Sequence, residues 1–168
     1  YGMSDLGPIT AGPKNLFGAW MRLPEEGSMV SPKLQDTIDE QVKKIISSVN
    51  KHLFDKKLGG YHLNTDFGQE QHNLGRAFSF VYGDKENGAF FNHMNVMLAN
   101  ALYKRGFIRE GKEVIDSIYT MAIAPQAKVP PVLPEYFNSQ GKGLYLYLTG
   151  SASWYIYTLF EEILGIKF

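Results

Sequence analysis

Leu34, Ile38, Val42, Ile45, Val49 and Leu53 recur at steps of three and four, with Asp39, Lys43 and Lys44 between them. That period gathers the apolar side chains on one face of an amphipathic helix. Ser31-Pro32 ahead of it reads as a start signal, a capping hydroxyl followed by a proline whose missing N–H costs nothing at the first helical position. Gly59-Gly60 is expected to stop this helix. A second is predicted from about Ala89 to Lys104, with Phe90, Met94, Met97, Leu98, Ala101 and Leu102 on its apolar face and Gly106 closing it. A third covers about Arg109 to Met121, with Val114, Ile115, Ile118 and Met121 inward, and the last, about Ser151 to Leu164, is crowded with Trp154, Tyr155, Tyr157, Phe160 and Ile163.

Between these helices the pattern loses its period. Tyr1 to Ser31 carries Gly7, Pro8, Gly12, Pro13, Gly18, Pro24 and Gly27, a breaker density that predicts an irregular arm over residues 1–31. Tyr61 to Gly88 mixes glycine, asparagine and aromatics and is expected to be loops with one short strand. Pro125, Pro130, Pro131 and Pro134 predict an extended connection, because proline removes a donor and disfavours helix in the residue before it. The fold class is mainly α with a small β element. Helices apolar around so much of their circumference need neighbours on several sides, and four helices supply few. Residues 32–168 therefore read as a segment of a larger helical assembly.

Composition adds exclusions. Seventeen Lys and Arg balance seventeen Asp and Glu, which provides no basic footprint for nucleic acid and none for a membrane surface. No apolar run approaches the ~18 residues that span a bilayer. The hydrophobic fraction of 44% implies a packed body, and the absence of cysteine removes disulfides and thiolate metal sites, a usage compatible with a reducing cytoplasm. The chain opens on Tyr1 without a charged head and apolar run, so a processed or trimmed polypeptide is expected.

Three polar constellations fall where polarity is expensive. Lys85-Glu86-Asn87-Gly88 precedes Asn92-His93 at the start of the second helix; His93, between Asn92 and Met94, fits either a satisfied core histidine or an anion donor. Thr149-Gly150-Ser151 precedes the aromatic helix. It fits a phosphate site at a helix start, or more simply a cap made by Ser151. Glu135, in Leu133-Pro134-Glu135-Tyr136, is a carboxylate on a stiff loop beside an aromatic, as in sugar sites, though a surface glutamate would look the same. His52, His62 and His72 match no metal-ligand spacing.

Glu86-Asn87-Gly88-Ala89-Phe90-Phe91-Asn92-His93, Ala101-Leu102-Tyr103-Lys104-Arg105-Gly106 and Tyr147-Leu148-Thr149-Gly150-Ser151-Ala152-Ser153-Trp154, in that order, resemble glycoside hydrolase family 94. Gly60-Tyr61, Asn64-Thr65-Asp66-Phe67-Gly68 and Asn73-Leu74-Gly75-Arg76 look most like its 1,2-β-oligoglucan phosphorylase branch, related to the phosphorylase region of cyclic β-1,2-glucan synthases. The resemblance implies the C-terminal part of an (α/α)6 barrel. It also implies cleavage of a β-glucosidic bond by inorganic phosphate as co-substrate, without a cofactor or metal, to give α-glucose 1-phosphate with inversion. On the match, His93, Thr149 and Gly150 hold phosphate, while Lys85, Glu86 and Glu135 contact the sugar.

The family's general acid, an aspartate in a Trp-Asn-Asp-containing motif, has no counterpart here, since neither Trp20 nor Trp154 begins one. No catalytic acid is therefore assigned in this chain, and turnover is expected only from a parent protein. The expected partners are an oligosaccharide, phosphate, the missing N-terminal part of the barrel and a second copy of the chain. A non-catalytic carbohydrate-binding or assembly module is the alternative, and hydrolysis with Glu135 as one of two carboxylates is a third reading.

Overall fold

A computed structural model describes residues 32–69, 71–129, 132–147 and 149–166. The predicted irregular arm, the Ser31 cap, Pro130 and Pro131 lie outside the described residues. The protein is mainly helical. Helix α1 runs Pro32–His52, α2 Asn92–Lys104, α3 Ile108–Ile123 and α4 Gly150–Thr158, the last continuing through a π-type turn, Leu159–Ile163. Five two-residue strands accompany them: β1 Phe54–Asp55, β2 Gly60–Tyr61, β3 Phe90–Phe91, β4 Tyr136–Phe137 and β5 Gly143–Leu144.

Two predicted boundaries shift. Helix α1 ends at His52 rather than at the glycines, because the chain turns into an antiparallel hairpin that pairs Phe54 with Tyr61 and Asp55 with Gly60. Helix α2 begins at Asn92 rather than Ala89, because Phe90 and Phe91 pair with Phe137 and Tyr136. Strand β4 then pairs with β5, Tyr136 opposite Leu144, so the proline-rich connection returns as a three-stranded sheet. Pro125 opens a 3-10 turn to Ala127 where an extended run was expected.

Helix α2 lies at the centre, packed against α3 and α4. Val96, Leu98, Ala99 and Leu102 join Val42, Val49 and Leu53 of the α1 region and Val114, Ile115 and Ile118 of α3 in one core. Each valine, leucine and isoleucine among them contributes roughly 1.5–3 kcal/mol on burial. Three asparagines of α2 are buried too, and each amide donates to a different neighbour: Asn92 to the Pro134 carbonyl (2.8 Å), Asn95 to the Tyr61 carbonyl (3.2 Å) and Asn100 to the Thr158 hydroxyl (3.2 Å). These bonds fix the azimuth of α2 against the Pro134 loop, strand β2 and helix α4, since a buried amide left unpaired would cost about 1–3 kcal/mol. Gly111 allows α3 to approach α2: a Cβ there would stand 2.9 Å from the Tyr103 ring.

A second cluster, Phe90, Met121, Ala127, Val129 and Phe137, lies under the three-stranded sheet. One apolar surface stays open. Ile156 on α4, Phe160 and Ile163 on its extension and Leu164 just after it are 54%, 37%, 42% and 62% exposed. Among the described residues no helix is long and apolar enough to cross a membrane.

Candidate functional site

The turn Gly83–Gly88 carries the first constellation. Asp84 bridges Asn87, and the Gly83 and Asn87 amides donate back across the turn (2.7 and 3.0 Å). Lys85 at its tip has φ 44°, in the left-handed region that costs a non-glycine residue about 1–2 kcal/mol. The turn is tied from below. Asn64 accepts from the Gly88 amide (2.8 Å) and donates to the Asn87 side chain (3.1 Å), Asn87 donates to the Phe80 carbonyl (2.6 Å), and the Tyr136 hydroxyl donates to Asp84 (2.8 Å). Burial, with the Asp84 carboxylate beside it, pushes the Tyr136 phenol well above its ordinary range.

The sheet brings Glu135 and Tyr145 to the same place. Glu135 immediately precedes β4, Tyr145 immediately follows β5, and the Glu135 amide donates to the Tyr145 carbonyl at 2.9 Å. With Lys85 and Glu86 of the turn, and with Arg76, Phe91 and Tyr136, they line a cleft of about 160 Å³. Phe91 and Tyr136 stack at 6.2 Å with an interplanar angle of 8°, and Tyr145 leans on Tyr136 at 6.1 Å. The Lys85 ammonium rests between the rings of Phe80 (4.9 Å) and Tyr145 (5.2 Å), and Arg76 lies 5.5 Å over Phe80. Among the described residues Arg76, Lys85, Glu86 and Glu135 form no ion pairs, and Glu86 Oε2 is buried without a hydrogen-bond partner. Charged groups of both signs left unpaired beside flat rings suit a polyhydroxylated ligand, whose hydroxyls donate to carboxylates and accept from cations.

The histidine of the first constellation meets the second. His93, on the first turn of α2, presses its ring against Gly150: a Cβ on Gly150 would stand 2.8 Å from Cε1, 3.1 Å from Nδ1 and 3.2 Å from Nε2. The Trp154 ring is 6.4 Å from that of His93. Ser151 is not the cap of the aromatic helix, which starts at Gly150 with Thr149 as its N-cap residue and no side-chain capping bond. Ser151 sits inside the helix, buried, hydrogen-bonded to Thr149 Oγ1 (2.6 Å) and donating to the Pro134 carbonyl (3.1 Å). The first N–H groups of α4 are thus left without a side-chain partner, as at an anion-binding helix start.

One carbonyl joins the two places. Pro134 O accepts from Asn92 and from Ser151, and the Asn92 amide donates to the Glu135 carbonyl at 2.8 Å. His93 follows Asn92 and Gly150 precedes Ser151, so the histidine–helix contact and the cleft share a scaffold. Of the residues singled out from sequence, His93, Thr149 and Gly150 fall together, and Lys85, Glu86 and Glu135 fall together. Sequence reasoning did not place Arg76, Phe91, Tyr136 and Tyr145 in the site. Arg76, Phe91 and Tyr136 stand in the sequence only inside longer motifs, and Tyr145 in none of them. Among the described residues no three His, Asp or Glu side chains converge as metal ligands.

Residues 28–165 match the model of the glycosyl hydrolase 94 superfamily, catalytic domain. The chain is 28% identical over 135 residues to N,N'-diacetylchitobiose phosphorylase of Vibrio furnissii, covering 74% of this chain and 17% of that protein. It is 20% identical over 141 residues to cellobionic acid phosphorylase of Neurospora crassa, covering 76% of this chain and 18% of that protein. The chain thus spans less than a fifth of the length of these curated relatives. With most of its length matched, the chain belongs to the glycosyl hydrolase 94 superfamily, within its catalytic domain.

Proposed function

We propose that this chain supplies the phosphate side, and part of the sugar side, of an inverting glycoside phosphorylase acting on β-glucans, with β-1,2-oligoglucans as substrate. The supporting observation is the His93 ring lying against Gly150 at a helix start whose N–H groups lack a side-chain cap. In this reading the His93 N–H, the Thr149 hydroxyl and the Gly150 backbone hold the phosphate dianion, whose oxygen attacks the anomeric carbon. Lys85, Glu86 and Glu135 grip the sugar in the adjoining cleft. A general acid outside this chain protonates the glycosidic oxygen as the carbon–oxygen bond breaks, and α-glucose 1-phosphate leaves. The helices belong to an (α/α)6 barrel, and the open apolar face of α4 is where the rest of that barrel packs.

The test is an assay of the whole protein with β-1,2-, β-1,4- and N-acetylated disaccharides and oligosaccharides, with and without phosphate. Phosphate-dependent release of glucose 1-phosphate from the β-1,2-linked substrates is expected. His93→Ala is expected to lower kcat/KM for phosphate about 100-fold, the usual cost of removing one oxyanion donor. Phosphate-independent release of free glucose would replace phosphorolysis with hydrolysis. The same open α4 face favours a second reading, a non-catalytic module that binds carbohydrate or a partner, and glycan binding by the whole protein with no bond cleavage would select it.

A further inference from the structure

Asparagine is a thermolabile residue, and most so before glycine, where no Cβ shields the next amide nitrogen from the carboxamide. Asn87-Gly88 is such a pair, in the turn that carries Lys85 and Glu86. Both residues are buried, and four hydrogen bonds hold the two groups that would react. The peptide between them is fixed at each edge: the Gly88 amide donates to Asn64 Oδ1 (2.8 Å), and the Asn87 carbonyl accepts from the Gly83 amide (2.7 Å). The Asn87 carboxamide is fixed at each end: Oδ1 accepts from Asn64 Nδ2 (3.1 Å), and Nδ2 donates to the Phe80 carbonyl (2.6 Å). Asn64 thus grips nucleophile and electrophile at once. It is itself buried, with its Nδ2 also donating to the Thr65 carbonyl (3.0 Å) and its own carbonyl accepting from the Tyr82 hydroxyl (3.2 Å).

We propose that Asn87-Gly88 is a latent self-modification site and that the Asn64 carboxamide keeps it from reacting. Reaction begins when hydroxide takes the Gly88 amide proton and the nitrogen attacks Asn87 Cγ. The N–Cγ bond forms, the Cγ–Nδ2 bond breaks, and Nδ2 leaves as ammonia, giving a five-membered succinimide. Water then opens the ring at either carbonyl to leave aspartate or isoaspartate; nothing is oxidised or reduced. The folded turn opposes the first step twice. The bond to Asn64 Oδ1 keeps the proton on the Gly88 nitrogen and points it at Asn64, and the bonds at Asn87 Oδ1 and Nδ2 stop Cγ from rotating toward that nitrogen. Conversion therefore runs through the fraction of molecules in which the turn is open. Isoaspartate lengthens the backbone of the turn by a methylene, and either product puts a carboxylate where the Asn87 amide donated to Phe80, so the turn cannot close as before. That this ends glycan binding rests on the cleft being the sugar site; the chemistry itself does not.

Incubation of the whole protein in mildly alkaline buffer without sugar or phosphate, followed by peptide mapping by mass spectrometry, tests the chemistry separately from that reading. Deamidation at Asn87 is expected to run at least about tenfold more slowly in the native protein than in the same protein unfolded in urea. Asn64→Ala should raise the native rate about tenfold, as expected for losing hydrogen bonds to both reacting groups, with isoaspartate among the products. Asn95→Ala removes a different buried amide, the one that donates to the Tyr61 carbonyl, and should stay near the wild-type rate. Equal rates in native and urea-unfolded protein would overturn the proposal, and so would equal acceleration by Asn64→Ala and Asn95→Ala, which would assign the protection to global stability. Tyr82→Phe keeps the ring over Gly88 and removes only the hydroxyl bonded to the Asn64 carbonyl, so a smaller rise is expected. If Asn64→Ala does not fold, Tyr82→Phe decides, and an unchanged rate in it would remove Asn64 from the role.

Discussion

The Lys85 ammonium stands 5.2 Å from the centre of the Tyr145 ring, and both residues hold left-handed backbone, φ 44° and 57°. Two non-glycine residues with this geometry, touching in one cleft, mark a place where the surrounding structure enforces strain that a freely relaxing loop would shed. Such strain concentrates at ligand sites. The sheet enforces it on Tyr145, whose carbonyl is held by the Glu135 amide, and the turn bonds enforce it on Lys85.

Relieving the strain should separate stability from function. Lys85→Gly removes a left-handed penalty of about 1–2 kcal/mol and loses cation–π contacts worth about 0.5–1 kcal/mol at this half-buried position. The net expectation is an unfolding free energy unchanged or higher by up to about 1 kcal/mol, with oligosaccharide KM in the whole protein raised about tenfold. Lys85→Met keeps the strained φ and loses the charge, and should be the less stable of the two. Urea unfolding of both variants, set beside their KM values, checks the ordering. A Gly variant clearly less stable than wild type would show that the turn does not strain Lys85.

Gly150→Ala probes the other half. Alanine is worth about 1 kcal/mol more than glycine inside a helix, but its Cβ would displace the His93 ring, which is 2.8–3.2 Å from that position. Stability is therefore expected to change by less than about 1 kcal/mol, because a side-chain ring can swing aside. Phosphate KM should rise about tenfold or more while oligosaccharide KM holds. Equal effects on both substrates would detach His93 and Gly150 from the phosphate.

How much of this was readable beforehand follows from which interactions are periodic. The α1 pattern at Ile38, Val42, Ile45 and Val49 is local, so helix and inward face were both legible. The strands were not. Phe91 pairs with Tyr136 across a long separation in sequence, and a two-residue strand is too short to display alternation. Missing that sheet hid Phe91, Tyr136 and Tyr145, which reach the cleft only because β3, β4 and β5 align. His93 and Gly150 stand out by local chemistry and by family likeness, not by periodicity, and their contact joins two helices far apart in sequence. Thr-Gly-Ser contains two good capping hydroxyls, so the local sequence leaves open which residue caps the helix; tertiary bonding of Ser151 to Pro134 decides that it enters the helix.

Gly88 should be among the costliest single positions in the turn. Its φ is +75°, and a Cβ there would stand 2.1 Å from Tyr82 Cε2 and 2.4 Å from Cδ2. Gly88→Ala combines a left-handed penalty of about 1–2 kcal/mol with overpacking of about 1–3 kcal/mol, so a loss of roughly 2–5 kcal/mol is expected in denaturant unfolding. A double-mutant cycle with Tyr82→Ala should recover the overpacking part as a coupling of about 1–3 kcal/mol and leave the backbone part. Additive single effects would place the cost entirely in φ.

Alkaline unfolding isolates Tyr61. Its side chain is 5% exposed and its hydroxyl donates to Asn50 at 3.1 Å; burial, and then the charge of Glu113, push the phenol up to about 12. The folded state therefore favours the protonated form. Below the ordinary phenol value both folded and unfolded chains keep the proton, and its contribution to stability is fully present. Above about pH 10 the unfolded chain releases the proton while the folded one retains it, so stability falls, at up to about 1.4 kcal/mol per pH unit, until the folded value is reached. Burial raises the Tyr82 and Tyr103 phenols as well, which adds slope of the same sign. Tyr61→Phe should cost about 1 kcal/mol at neutral pH through the lost hydrogen bond, and lose less than wild type as pH rises. Urea midpoints at intervals from about pH 8 to 11 would show the two curves converging; parallel curves would mean that Tyr61 ionises as readily in the folded protein as in the unfolded chain.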